Sequence, residues 1–442
     1  MPKKCIMMLV VFLVISGITT LAENMVSPPD IADLMNEYNI HTCSIVYRNE
    51  ENKITENFGR QDFLSSNEVT ENSIFEIGSN GKMVAAYIVH KLVEENKINL
   101  DDKAEKYLDK EWVIADTRFS KITIRQLLSH SAGFSPSFEF GIDKHIYFEP
   151  GTKFSYSGVG YMYLQEIIEK VSGLDFESAA QKYVFVPLKM NDSTFLPGKV
   201  VTPYIHSKSL TVYCFTIFIL SFSVIFIIGL LVCIISKFKK FNKKRLFTIS
   251  ILVAGLINSG ALLSLFPKIM IIFAVFAILG IIILFVTRKT KRLYYAAFIL
   301  YTAIIIAIGL IIPFSIPVPS IIFNENVNCA YSMRSTSKDM SKFCDELLEQ
   351  YNKNGEMFDS TITIDDNNSW CLGIASEKTG ETITYWHSGI NPGQQSIVII
   401  NPTNNSYVIV LTNSDNGYEF SKKLARLYLN IDGVWEIERV KL

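Results

Sequence analysis

The sequence has no C-x-x-C pair, no histidine–cysteine cluster, no internal repeat and no low-complexity tract. Its seven cysteines and six histidines are scattered, which leaves no residues at zinc spacing and no dithiol motif; neither a metal nor an organic cofactor is implied. Net charge is nearly absent too. With 42 basic and 43 acidic residues the balance is -1, too little positive charge for a nucleic-acid binder. Charged residues make up only 19%, against 49% hydrophobic, and the mean hydropathy is +0.24. That balance is too apolar for an ordinary soluble enzyme and implies membrane-crossing segments. Cys43, Cys329, Cys344 and Cys371 lie in polar stretches and are expected to be unpaired, because a core of this size needs no covalent staple.

The apolar residues are concentrated in a few runs. Lys3 and Lys4 precede Ile6–Ile15 and then small residues up to Ala22, the pattern of a signal peptide over 1–22, with an uncleaved anchor as the alternative. Four runs at about 210–235, 246–266, 269–287 and 293–312 contain no charged residue, and each is near the ~20 residues that cross a bilayer. The links Lys237–Arg245 and Arg288–Arg292 are strongly basic, whereas Pro267-Lys268 is short. The positive-inside rule puts the basic links in the cytoplasm and both ends of the four-span block outside the cell membrane. The expected organisation is a first part of a globular domain at 23–209, the transmembrane block at 210–313, and a second part at 314–442.

The polar segments alternate strands and helices. Strands are predicted at Thr42–Arg48, Lys53–Phe58, Thr361–Ile364, Trp370–Ser376, Thr382–His387, Gln395–Asn401 and Ser406–Asn413. Helices are predicted at Ile31–Tyr38, after Ser79, at Ile124–His130, Tyr161–Val171 closed by Gly173, Ser337–Tyr351 and Phe420–Leu429. Strands at both ends and helices between them indicate an α+β fold whose sheet needs both parts of the chain.

One stretch carries chemistry. Ser79 stands three residues before Lys82, after the apolar Ile74, Phe75 and Ile77 and before Met83, Val84, Tyr87, Ile88 and Leu92 at helical spacing. Positions i and i+3 share a helix face, so hydroxyl and amine meet. A buried lysine can lose its proton near neutral pH and take that of a serine, which makes the serine a nucleophile. The spacing alone is unspecific: about two Ser-x-x-Lys matches arise by chance in a chain this long, and Ser236/Lys239 and Ser335/Lys338 also match. Only Ser79 has the strand-then-helix context.

The segments Phe75–Lys82 (FEIGSNGK), Lys97–Asp102 (KINLDD), Gln126–Phe134 (QLLSHSAGF), Pro150–Gly158 (PGTKFSYSG), Gly160–Gly173 (GYMYLQEIIEKVSG), Pro187–Thr194 (PLKMNDST), Met333–Leu348 (MRSTSKDMSKFCDELL) and Trp386–Gly389 (WHSG) resemble, in this order, the serine β-lactamase-related family. That group includes class C β-lactamases, low-molecular-weight penicillin-binding proteins, and related esterases and D-amino-acid peptidases. The resemblance implies the β-lactamase/transpeptidase-like fold, an antiparallel sheet flanked by helices plus an all-α subdomain. It implies Ser79 as acylated nucleophile, Lys82 as its base partner and Tyr156 as the second-motif tyrosine. His387-Ser388-Gly389 would be the third motif on an edge strand, with Gly389 leaving room for substrate backbone. The backbone N–H groups of Ser79 and Ile390 would form the oxyanion hole. Gly158 stands where relatives carry Asn, and His387 where many carry Lys. Both departures weaken the case for β-lactam or carboxylate recognition more than that for acylation.

The reading is a membrane-anchored, extracytoplasmic serine hydrolase acting through an acyl-enzyme on an amide or ester: a peptidoglycan peptide, a D-amino-acid peptide or a β-lactam. The alternative is a non-catalytic receptor that kept the fold. Partners are the acyl substrate and membrane lipids; no nucleic acid is implied.

Overall fold

The computed structural model describes residues 31–50, 52–61, 66–135, 145–198, 200–205, 316–317, 326–353 and 355–437. The expected signal peptide and all four expected spans lie outside the described residues. Among the described residues no helix is long and apolar enough to cross a membrane.

The chain opens with α1 (Ile31–Tyr38), the hairpin β1 (Cys43–Arg48) and β2 (Lys53–Phe58), and the short strand β3 (Phe75–Gly78). Then come α2 (Gly81–Glu94), α3 (Ile124–Leu128), α4 (Gly158–Ser172) and α5 (Phe176–Ala180). Two-residue strands β4 (Tyr204–Ile205) and β5 (Ile316–Pro317) bracket residues 206–315. The second part supplies β6 (Met333–Ser335), α6 (Ser337–Asn352), β7 (Ile362–Thr363), β8 (Asn368–Trp370), β9 (Ala375–Thr379), β10 (Thr382–Asn391), β11 (Gln394–Asn401), β12 (Ser406–Thr412) and α7 (Gly417–Leu429).

Eight of these strands form one antiparallel sheet in the order β2-β1-β12-β11-β10-β9-β8-β7. The first hairpin therefore pairs with the last strand, Cys43 opposite Thr412 through Arg48 opposite Tyr407. Strands β11 and β12 are buried along their whole length. Their side chains alternate between two cores. Val398, Ile400, Tyr407, Ile409 and Leu411 face α2 and α6; Ile397, Ile399, Val408 and Val410 face α1 and α7 through Leu34, Met35, Phe420 and Leu424. A sheet covered on both faces explains the nearly continuous apolar run in these two strands. Each fully buried side chain of this size contributes about 1.5–3 kcal/mol.

Most predicted elements are present with shifted ends. Helix α4 starts at Gly158, three residues before the apolar periodicity, because Ser157 caps it: its hydroxyl accepts from Gly160 N–H at 3.0 Å. Gly173 ends it in the left-handed conformation, φ 70°. The strand expected at Trp370–Ser376 is a turn between two strands: β8 ends at Trp370, β9 begins at Ala375, and Gly373 has φ 108°. Helix α3 ends at Leu128, short of His130, whose φ is 54°. Cys43, Cys329, Cys344 and Cys371 are buried free thiols, as expected.

The two parts of the chain interlock well away from the main sheet as well. Strand β3 pairs with β6, Phe75 opposite Ser335 and Glu76 opposite Arg334. Arg334 Nη2 reaches Glu76 Oε1 at 3.1 Å with both side chains at most 3% exposed. Asn391 Nδ2 donates to Glu76 Oε2 at 3.2 Å, and Arg334 Nη1 donates to Leu196 O at 2.6 Å. At the stem of 206–315, Tyr204 lies opposite Pro317 and Ile205 opposite Ile316. The intervening segment thus leaves and re-enters the fold at one point. That stem is tied to the turn after β10, where Tyr204 N–H donates to Gly393 O at 3.1 Å and Asn413 O at 2.9 Å.

Removing one partner of a buried ion pair strands the other's charge. Arg334→Met is expected to lower the unfolding free energy by about 3–5 kcal/mol, and Glu76→Gln/Arg334→Met together to recover most of it. Denaturant titration of the three chains measures both.

Candidate active site

Ser79 sits in a two-residue turn between β3 and α2. Gly78 takes φ 52°, and a Cβ there would stand 3.2 Å from Ile390 N and 3.1 Å from Asn391 Oδ1. The turn is fixed from below, since Asn80 Nδ2 donates to Ser396 Oγ at 2.8 Å and to Ile77 O at 3.2 Å. Gly81 then starts the helix against the Phe195 ring, 2.9 Å from where a Cβ would be.

Three residues on, Lys82 is 2% exposed. Its Nζ donates to Ser79 Oγ at 3.0 Å and to Ala330 O at 2.6 Å. It lies 4.9 Å from the Tyr156 ring centroid and 5.6 Å from that of Tyr161. Ser79 is half-buried, and its hydroxyl also lies 3.3 Å from Ala330 O. The two chance matches differ sharply. Lys338 is 43% exposed and pairs with Glu71 on the surface, and Ser236/Lys239 lies outside the described residues. A buried lysine side chain beside a hydroxyl is the arrangement in which an amine can take the hydroxyl's proton.

His387 is brought to the same place by β10. It is buried, its ring centroid is 6.1 Å from that of Tyr156 and 5.5 Å from that of Trp370. Its Nδ1 faces Ser388 O at 2.9 Å, so Nδ1 carries the proton and Nε2 is left as a buried acceptor with no hydrogen-bond partner. Burial, and then the Lys82 charge, push its pKa down to about 3, so the ring is neutral. The strand is not an edge along its whole length, as the motif implied. It pairs with β9 only up to Trp386 opposite Ala375, while β11 continues to Asn391. From His387 onward β9 no longer pairs with β10, and β3 crosses the face of β10 and β11, where Ser396 Oγ donates to Ile77 O at 3.1 Å. Gly389 belongs to that crossing: a Cβ there would be 1.8 Å from Ile77 O. Its missing side chain makes room for the protein's own β3, not for substrate backbone.

Of the other expected residues, Ser388 is half-buried, Ile390 is 46% exposed with its N beside Gly78, and Gly158 is the buried first residue of α4. Ser79, Lys82, Tyr156 and His387 therefore converge from α2, the segment before α4, and β10. Three contributors were not singled out as site residues from the sequence. Ala330 acts through a backbone carbonyl, which no side-chain pattern announces. Trp370 packs edge-on to Tyr156 at 5.5 Å and comes from a two-strand turn read as one strand. His130 stacks on Tyr156 at 4.3 Å; its signal was its place within QLLSHSAGF. Among the described residues no group of side chains could hold a metal ion.

The buried histidines set a pH dependence. Burial, Lys82 and His387 hold His130 well below its ordinary value, and burial lowers His90 to about 4. Between the ordinary value of 6.5 and these lowered values the unfolded chain binds protons that the folded chain does not. Stability is therefore highest above pH 6.5 and falls as pH drops toward 3. His387→Gln is expected to remove one proton from that slope, about 1.4 kcal/mol per pH unit, read as denaturation midpoints between pH 7 and pH 4.5.

Known proteins resemble this chain in sequence and in fold. Residues 30–207 match the family described as Beta-lactamase. The teichoic acid D-alanine hydrolase of Staphylococcus aureus (strain MRSA252) is 29% identical over 176 residues, which is 36% of this chain and 42% of that protein. Penicillin-binding protein 4 of Amycolatopsis lactamdurans is 30% identical over 149 residues, 30% of this chain and 39% of that one. The matches thus span about two fifths of these relatives' lengths. Among solved structures, the octameric penicillin-binding protein homologue from Pyrococcus abyssi superposes with a TM-score of 0.59 at 18% identity, covering 90% of this chain and 76% of that one. The D-amino acid amidase from Ochrobactrum anthropi SV3 gives 0.55 at 15% identity, covering 90% and 95%. Residues 30–207 are thus similar to the family described as Beta-lactamase, and the fold they build with the second part of the chain is the β-lactamase/transpeptidase-like fold seen in that penicillin-binding protein homologue and that D-amino acid amidase.

Proposed function

We propose that this chain is a serine hydrolase that works through an acyl-enzyme on Ser79. The observation that carries the reading is the 3.0 Å contact between Ser79 Oγ and the buried Nζ of Lys82. In the acylation step Ser79 Oγ attacks the substrate carbonyl, and its proton passes to the Lys82 amine. Tyr156, with its ring against Lys82, relays that proton to the leaving group as the acyl–leaving-group bond breaks. Water then attacks the acyl-enzyme, gives its proton back through the same pair, and frees Ser79. The N–H groups of Ser79 and Ile390 receive the developing oxyanion.

His387 narrows the substrate. A buried neutral imidazole offers no positive charge where many relatives have Lys, so binding does not rely on a free carboxylate. Esters and amides of amino acids fit this better than peptides recognised by their C-terminus. The likeness to a protein named teichoic acid D-alanine hydrolase puts D-alanyl esters first in a substrate panel, with D-amino-acid amides, peptidoglycan peptides and β-lactams beside them. Gly158 favours a second reading, a non-catalytic acyl-binding receptor, because the side chain that would hold substrate there is missing.

The reading includes anchoring through residues 210–313, with the site outside the cytoplasm. Two observations support it: four charge-free apolar runs, and the β4–β5 stem, which requires the segment to return to the side it left and so to cross an even number of times.

A fluorophosphonate probe is expected to label the parent chain, Ser79→Ala to lose all labelling, and Lys82→Arg to slow it by roughly 100- to 10,000-fold. A folded parent that no fluorophosphonate, penicillin or ester substrate modifies would favour the receptor instead. For topology, a membrane-impermeant maleimide on intact cells should reach Glu50→Cys and Lys378→Cys, both exposed, but Lys239→Cys only after permeabilisation. Labelling of Glu50→Cys and Lys378→Cys on opposite sides would overturn the arrangement.

A further inference from the structure

We propose that His130 is the positioning residue for Tyr156, holding the tyrosine ring against Lys82 by gripping the backbone on both sides of it. This rests on the hydrolase reading and extends it to a residue outside its machinery.

The grip has three points. The His130 carbonyl accepts from Ser155 N–H at 2.8 Å. The His130 ring nitrogen Nδ1 accepts from Ser157 N–H at 3.0 Å. Between those two anchors the imidazole lies on the Tyr156 ring, centroids 4.3 Å apart at 37°. Residues 155, 156 and 157 are thus each held by one side chain and its own backbone. An apolar residue could supply the packing, but not the acceptor for Ser157 N–H. A buried N–H left without an acceptor costs more than the bond itself contributes.

The place of His130 follows from the helix end: with φ 54° it is the left-handed residue that closes α3, where Ser131 N–H donates to Gln126 O at 2.9 Å and His130 N–H to Leu127 O at 3.3 Å. That turn sets its ring among aromatic side chains. Here the contacts are Tyr161 at 4.9 Å, Trp370 at 4.7 Å and Phe154 at 6.0 Å. The charged and titratable groups facing the ring are Lys82 from α2, Tyr156 before α4, Tyr161 in α4 and His387 in β10. Lys82 and His387 both disfavour protonation, as does burial. The ring stays neutral, so Nδ1 remains an acceptor and the grip holds over the working pH range.

A double-mutant cycle on the full chain tests the proposal, with the rate of Ser79 labelling by a fluorophosphonate as readout. His130→Ala is expected to slow labelling on the order of 100-fold, the scale of a misplaced catalytic group. In the Tyr156→Phe background the same change is expected to add less than about threefold, because its route through the phenol is already gone. His130→Asn keeps an acceptor near the Nδ1 position and tolerates the left-handed backbone, so it should recover most of the rate in the Tyr156 chain. Equal losses in both backgrounds would overturn the proposal while leaving the hydrolase reading intact. A parent chain that is not labelled would remove that reading and this role together. If His130→Ala melts at room temperature, His130→Asn against His130→Gln decides: Asn is expected to be about tenfold faster than Gln, the scale of one lost hydrogen bond, only where Tyr156 is present. Equal rates there would overturn the proposal.

Discussion

The β3–β6 pairing is the constraint on which the site depends. It joins a strand before residues 206–315 to one after them, and it carries the ion pair of Glu76 and Arg334 at the point where water is excluded. Two residues along from Glu76, the same strand turns to present Ser79. Three residues before Arg334, Tyr331 O accepts from Asn391 beside the β10 edge, and Ala330 O accepts from Lys82. The catalytic lysine of the proposed mechanism, contributed by the first part of the chain, is therefore held by a carbonyl of the second. A buried ion pair gains little net stability, since desolvation offsets most of the attraction. Its consequence here is registry: only one alignment of β3 on β6 satisfies Glu76, Arg334, Asn391 and Leu196 O together.

The same logic explains why a long interruption is compatible with one domain. The cost of closing a loop grows only with the logarithm of its length. An insertion that leaves and returns at paired strands adds almost nothing to the demands on the remainder. β4 and β5 provide that point, and Tyr204 ties it to the turn following β10. The main sheet needs both parts regardless, because β1 can be buried only beside β12.

Around Lys82 the site is built from rings rather than from opposite charges. Tyr156, Tyr161, His130, Trp370 and His387 make a low-dielectric wall, and neither imidazole is protonated there. A neutral wall adds no charge of its own to the field at Ser79.

Much of the fold was legible in local pattern. Short apolar runs on either side of Pro402–Asn405 located the β11–β12 hairpin, helical spacing located α2, α4 and α6, and the glycine after Ser172 marked the end of α4. Where pattern failed, a local device overrode it: the Ser157 cap lengthened α4 toward its N-terminus, and the Gly373 turn cut one apolar run into β8 and β9. The serine, lysine, tyrosine and histidine were legible as residue types in order, since spacing on a helix and the order of motifs are properties of the chain. Their convergence was not. It requires β10 to part from β9 at Trp386, β3 to cross where Gly389 leaves no Cβ, and a carbonyl from Ala330 to arrive across more than two hundred residues of sequence. The sequence by itself determined which groups are available and which segments are the most apolar. Only the tertiary structure decided that His387 is neutral and that His130 touches Tyr156, because burial and the approach of distant backbones are not encoded at any one position.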